Sequence, residues 1–162
     1  MYNLKTDWQY NAKPHDIDSE NVLRIRLIPP INESPKPIAL FIALDVSKSM
    51  ADKLDIAKDI VKDLAERLSH NDICQVAAYS DELNEIALSE INGLSVRGVT
   101  RTDKAIEWIN KKIEESRVYA SNGIIITDGI MTNEYGKRIT DPRQLQLSSP
   151  NKDIIIVCMG GS

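Results

Sequence analysis

Leu40-Phe41-Ile42-Ala43-Leu44 runs without a polar residue into Asp45-Val46-Ser47-Lys48-Ser49-Met50. An unbroken apolar run of this kind suits a strand covered on both faces, as in a parallel sheet. A half-exposed strand would instead alternate polar and apolar residues. Asp45, Ser47 and Ser49 then stand just past the strand's carboxyl end, the edge where open α/β sheets bind ligands. All three side chains end in oxygen, the donor that hard divalent cations such as Mg²⁺ or Mn²⁺ take. The stretch therefore predicts a metal-holding loop whose other ligands come from elsewhere in the chain.

The same pattern returns in Gly123-Ile124-Ile125-Ile126-Thr127-Asp128-Gly129, an apolar strand ending on an acid. Between the two, Leu54, Ala57, Val61, Leu64 and Leu68 recur at helical spacing opposite Lys53, Asp59, Lys62, Asp63 and Glu66. This predicts an amphipathic helix over 51–68. Ser69-His70-Asn71-Asp72 reads as a turn that puts His70 on the surface. Ile73 to Tyr79 is the next strand, with a short strand over 83–88 paired to it. Ala105, Ile106, Ile109 and Ile113 give a second helix over 102–116, with Thr102 as N-cap and Asp103 in the first turn. Trp108 is expected to pack in the interior or at its border rather than to bind a ligand. Asp141-Pro142 resembles a helix start, predicting a short helix to about Leu147. Ile154-Ile155-Ile156-Val157-Cys158 reads as a last buried strand.

Strands alternating with helices imply an α/β fold: a Rossmann-like, doubly wound, mostly parallel sheet with helices on both faces. Right-handed crossovers align the strand ends, so Asp45, Thr100 and Asp128 are expected on one rim. Upstream, Val22 to Ile28 alternates Leu23, Ile25 and Leu27 with Arg24 and Arg26, which predicts a half-exposed strand at a sheet edge. Pro29-Pro30 stops it. Residues 1–21 read as an extended N-terminal arm and 22–162 as the domain.

The chain has 162 residues and a formal net charge of −4, enough length for one sizeable core and no basic excess. Nucleic acid and anionic membranes are not expected partners. No apolar run approaches the ~20 residues that cross a bilayer, and Met1 to Glu20 has no signal-peptide core. Cys74 and Cys158 sit in apolar runs and read as buried thiols rather than a bridge, which fits a reducing, cytoplasmic setting.

Asp45-Val46-Ser47-Lys48-Ser49-Met50, Gly98-Val99-Thr100 and Thr127-Asp128-Gly129 together resemble the metal-ion-dependent adhesion site of von Willebrand factor type A domains. The likeness runs from about Val22 to Met159, and the edge strand with its proline-rich link looks most like bacterial and intracellular members. It implies Mg²⁺ or Mn²⁺ bound through the hydroxyls of Ser47 and Ser49. Thr100 would bind directly in the ligand-competent state, and Asp45 and Asp128 largely through bridging water. The open coordination position would take a Glu or Asp carboxylate from a partner protein. Lys48 stands where glycine is usual, and Arg101 where an acid or amide is frequent. Pointing over the rim, both would favour an acidic partner. The family usually continues past the strand ending near Met159, so the C-terminal part of the usual domain is expected to be missing. An uncovered sheet edge then implies a dimer or a larger complex.

Three functions follow. The first is a divalent-metal-dependent protein–protein interaction module with no catalytic residues. The second is a structural assembly subunit whose site is empty. The third is a Mg²⁺-dependent phosphoryl-transfer enzyme with Asp45 as nucleophile. That chemistry generally wants a second carboxylate two residues on as acid and base, where this chain has Ser47. No Walker-type phosphate loop is present, and no Ser/His/Asp set stands at convincing positions.

Overall fold

The computed structural model describes residues 3–8, 23–28, 36–129 and 154–159. The chain divides into two units, Met1–Lys36 and Pro37–Ser162. In the first, β1 (Asn3–Trp8) and β2 (Leu23–Ile28) pair antiparallel, from Asn3 opposite Ile28 to Trp8 opposite Leu23. Of the stretch expected as a strand at Val22–Ile28, Leu23–Ile28 is a strand. It pairs with a strand inside the stretch expected to be an arm, in a two-stranded sheet of its own.

The second unit is built on a five-stranded sheet of order β5-β4-β3-β6-β7. Its strands are β3 (Ile38–Asp45), β4 (Ile73–Tyr79), β5 (Leu83–Ile86), β6 (Ala120–Thr127) and β7 (Ile154–Cys158). β3 lies between β4 and β6, parallel to both, and β7 is parallel to β6. Only three residues, Ser80 to Glu82, join β4 to β5. That is too short for a parallel crossover, so β5 turns back antiparallel and forms the sheet's antiparallel edge.

Period-two geometry splits the apolar run of β3 between two cores. Leu40, Ile42 and Leu44 face one side with Leu54, Ala57 and Val61 of α1 (Leu54–Glu66). Ala39, Phe41 and Ala43 face the other with Ala105, Ile106, Trp108 and Ile109 of α2 (Thr102–Glu115). Each large apolar side chain buried in this way contributes about 1.5–3 kcal/mol. A mostly parallel sheet covered on both faces is what the strand–helix alternation predicts.

Several local expectations change. The segment before α1 is a 3-10 turn at Lys48–Met50, so the helix starts later than residue 51. Thr102 is the first residue of α2 rather than its N-cap. Arg101 occupies the cap position, and no side chain caps the helix there. β7 is half-buried rather than buried, with only β6 beside it among the described residues. Cys158 is accordingly exposed, and both described cysteines are free thiols. His70 is exposed in its turn as expected. The helix expected at Asp141–Leu147 lies outside the described residues.

Candidate metal site

Odd-numbered residues of β3 face α2, so Asp45, the last residue of the strand, emerges on that side and is completely buried. Its Oδ1 accepts a hydrogen bond from the Ser47 backbone N–H at 2.8 Å. Its Oδ2 accepts one from the Thr127 hydroxyl, also at 2.8 Å. Burial pushes the Asp45 carboxyl up from its usual 3.8, the bonds from Ser47 and Thr127 pull it down, and nearby Asp128 pushes it up again, for a net rise. Among the described residues no Lys or Arg forms an ion pair with Asp45. The buried acid therefore lacks a countercharge there, and a second acid stands close by.

The bond from Ser47 N–H folds the chain back, and the 3-10 turn brings the next hydroxyl alongside. Ser47 Oγ and Ser49 Oγ lie 3.0 Å apart, Ser47 buried and Ser49 exposed. Two neighbouring ligands of an octahedral Mg²⁺, each about 2.0–2.1 Å from the ion, would be about 2.9 Å apart. The two serine hydroxyls, here hydrogen-bonded to each other, are compatible with that spacing. Both Asp45 oxygens already accept protein hydrogen bonds, so each keeps spare acceptor capacity for water rather than a bare carboxylate edge for the ion. The donor set fits a small, hard cation held mainly by neutral oxygens. Among the described residues no three His, Cys, Asp or Glu side chains gather as a metal cluster.

The Gly98-Val99-Thr100 limb is laced to this loop by the backbone. Arg97 N–H donates to the Val46 carbonyl at 2.7 Å, and Lys48 N–H to the Gly98 carbonyl at 3.4 Å. Gly98 has φ +64°, a left-handed conformation that costs glycine nothing. Thr100 is buried at the limb's end, just before α2. Asp128 follows β6 directly and is half-buried; Gly129 has φ +87° and donates its N–H to Thr127 Oγ1 at 3.3 Å. Asp45, Ser47 and Ser49 are thus brought together within one loop. Asp128 is close enough to Asp45 to act on its charge, and the Thr100 limb is tied to the same loop.

The two rim cations differ. Lys48 is exposed and makes no ion pair among the described residues. Arg101 is half-buried and grips Asp103 in a two-pronged pair, Nε to Oδ1 at 2.9 Å and a terminal nitrogen to Oδ2 at 2.6 Å. The Arg101 bonds hold the Asp103 carboxyl below the usual carboxylate range, against a smaller opposing effect of burial. Arg101's charge is therefore largely spent inside the protein.

A row of buried polar groups beneath the loop was not anticipated from the sequence. Tyr79 of β4 is the register neighbour of Asp45, and Thr127 continues the line on β6. Tyr79, Thr127 and Thr102 are all fully buried. The Tyr79 hydroxyl lies near both threonine hydroxyls, yet it makes no well-aligned hydrogen bond, and neither does Thr102 Oγ1. Burial first, then the charge of Asp45, pushes the Tyr79 phenol well above its usual range. The available signal was register: a polar residue closes each central strand at the same level.

No family model and no curated protein matches this chain. Solved structures do. A von Willebrand factor type A structure from Catenulispora acidiphila is similar over 76% of this chain and 33% of its own, at TM-score 0.61 and 18% identity. The fold of the present chain is that of a von Willebrand factor type A domain. An aerotolerance-related membrane protein from Bacteroides fragilis is similar at TM-score 0.61 and 18% identity, over 75% of this chain and 67% of its own. The three N-terminal domains of the type V pili tip protein Mfa5 from Porphyromonas gingivalis follow at TM-score 0.52 and 16% identity, over 60% and 20%. This chain spans between a fifth and two thirds of the length of these structures. The type A fold puts the carboxyl ends of β3, β4 and β6 on one rim, the one that carries Asp45 and Thr127. Among the described residues no helix is long and apolar enough to cross a membrane.

Proposed function

We propose that this type A fold serves as a divalent-metal-dependent protein-interaction module, with no catalysis of its own, that binds a Glu or Asp of a partner protein. The observation that carries the reading is a fully buried Asp45, without a countercharge among the described residues, whose carboxylate accepts the Ser47 N–H in the loop that brings the Ser47 and Ser49 hydroxyls to 3.0 Å from each other. Asp45 orients the loop through Ser47 N–H. Ser47, Ser49 and Thr100 would hold Mg²⁺ or Mn²⁺, with Asp45 and Asp128 acting through water. The ion supplies a strong, fixed attraction for an incoming carboxylate. Neutral hydroxyls leave most of its charge uncompensated, and exposed Lys48 adds to the pull on an acidic partner. Free thiols at Cys74 and Cys158 fit a reducing, cytoplasmic setting.

The exposed Lys48 between the two serines favours one competing reading, an assembly subunit whose site stays empty. Calorimetry with Mn²⁺ and Mg²⁺ on the wild type and on Asp45→Ala separates the two. The module gives metal-dependent heat that Asp45→Ala loses, and it captures acidic partners that EDTA releases. A wild type giving no heat with either ion, and keeping its partners in EDTA, is the empty scaffold.

A further inference from the structure

The Ser80–Glu82 turn between β4 and β5 reaches across to the Thr100 limb. Asp81 Oδ1 accepts a hydrogen bond from Val99 N–H at 2.8 Å. One residue beyond Thr100, Arg101 N–H donates to the Ser80 carbonyl at 3.1 Å. Lys104 Nζ, from the first turn of α2, donates to the Asp81 carbonyl at 2.7 Å. Thr100 is therefore bracketed, with its preceding and following backbone N–H groups both anchored on this turn. Gly98 completes the fit. A Cβ on it would collide with Asp81 Oδ2, so the carboxylate lies flat against the glycine backbone. Asp81 is exposed and gains nothing from burial, which leaves the hydrogen bond from Val99 N–H as its structural role.

We infer that Asp81 is the positioning residue of the Thr100 limb, holding Gly98-Val99-Thr100 in its turned shape before any ligand arrives. Its geometric part stands on the hydrogen bonds. Its consequence for metal rests on the reading of Thr100 given above. Groups that orient a ligand typically change metal affinity by about 10–100-fold when removed. An acid near a cation site also attracts the ion by charge alone, and the two roles differ in what an amide can replace. Asn at this position keeps an acceptor oxygen for Val99 N–H but carries no charge.

The test compares Asp81→Ala and Asp81→Asn by two measurements: hydrogen exchange of the Val99 amide in the metal-free protein, and Mn²⁺ affinity by calorimetry. Positioning requires that Asp81→Ala speeds Val99 exchange by about tenfold and weakens Mn²⁺ binding by about tenfold. Asp81→Asn should stay close to wild type in both. Equal losses in the two variants would mean charge, not positioning, and would overturn the inference. So would Val99 exchange and Mn²⁺ affinity unchanged in Asp81→Ala. A wild type that takes up no Mn²⁺ defeats the metal reading, and Val99 exchange still decides the clamp.

Discussion

At the scale of single residues, Asp45 is placed against its own ionisation. Burial outweighs the two hydrogen bonds it accepts, and Asp128 adds repulsion, so its pKa is raised above 3.8. An acid whose folded pKa is raised keeps its proton in the folded state at pH values where the unfolded chain has released it. Its contribution to stability therefore falls as pH rises from 3.8 through the folded value. An amide at this position escapes that cost and keeps an acceptor for Ser47 N–H and a donor for Thr127 Oγ1. Asp45→Asn is thus expected to raise the Tm of the metal-free protein. The same change should abolish the heat of Mn²⁺ binding. Thermal melts in EDTA and calorimetry on the two proteins check both halves, and a variant less stable than wild type in EDTA that keeps the Mn²⁺ heat would show that Asp45 is there for the fold alone.

At the scale of elements, α2 is tied to the edge strand β5 by one charged side chain. Glu85 Oε1 accepts from Trp108 Nε1 at 2.9 Å and pairs with Lys112 Nζ at 2.9 Å. Lys112 in turn sits 5.9 Å from the centre of the Trp108 ring. The bonds from Lys112 and Trp108 hold the Glu85 carboxyl below its usual 4.5. Because the folded pKa is depressed, this tie is fully present above 4.5 and is lost as pH falls through the folded value. Glu85→Gln should flatten that part of the acid unfolding curve without changing the curve near neutrality by more than a few tenths of a kcal/mol, the scale of half-exposed pairs. Urea melts from the acid limb up to neutrality measure it, and an acid limb identical in both proteins would remove Glu85 from the account. Periodicity had placed Trp108 in the interior or at its border, but nothing in sequence spacing joins Trp108, Lys112 and Glu85 across an α2–β5 contact. Element type was legible because Leu40–Leu44 is an unbroken apolar run and the Leu54–Val61 stripe keeps one helical period. The cap of α2 and the burial of β7 were not, because both depend on neighbours from distant parts of the chain.

At the scale of the molecule, the candidate site could be read from sequence where its donors follow one another, as in Asp45-x-Ser47-x-Ser49. It was hidden where three strands meet side by side, as in the row of Tyr79, Asp45 and Thr127. The division of the chain was the harder problem. Val22–Ile28 has the alternation of an edge strand, and alternation cannot say which sheet the strand joins. In the structure the strand pairs with Asn3–Trp8, while every residue of the candidate site lies in Pro37–Ser162. A domain starting at residue 22 and one starting at residue 37 therefore behave differently when made as fragments. The chain from Pro37 retains the whole five-stranded sheet and should unfold in one cooperative step, with the Mn²⁺ response of the full protein. The chain from Val22 adds β2 without β1, a strand with unpaired edges that invites association with other chains. Sedimentation of the two fragments, with thermal melts in Mn²⁺ and in EDTA, distinguishes them. A fragment from Pro37 that is unfolded, beside a monomeric and cooperative fragment from Val22, would move the boundary back to residue 22.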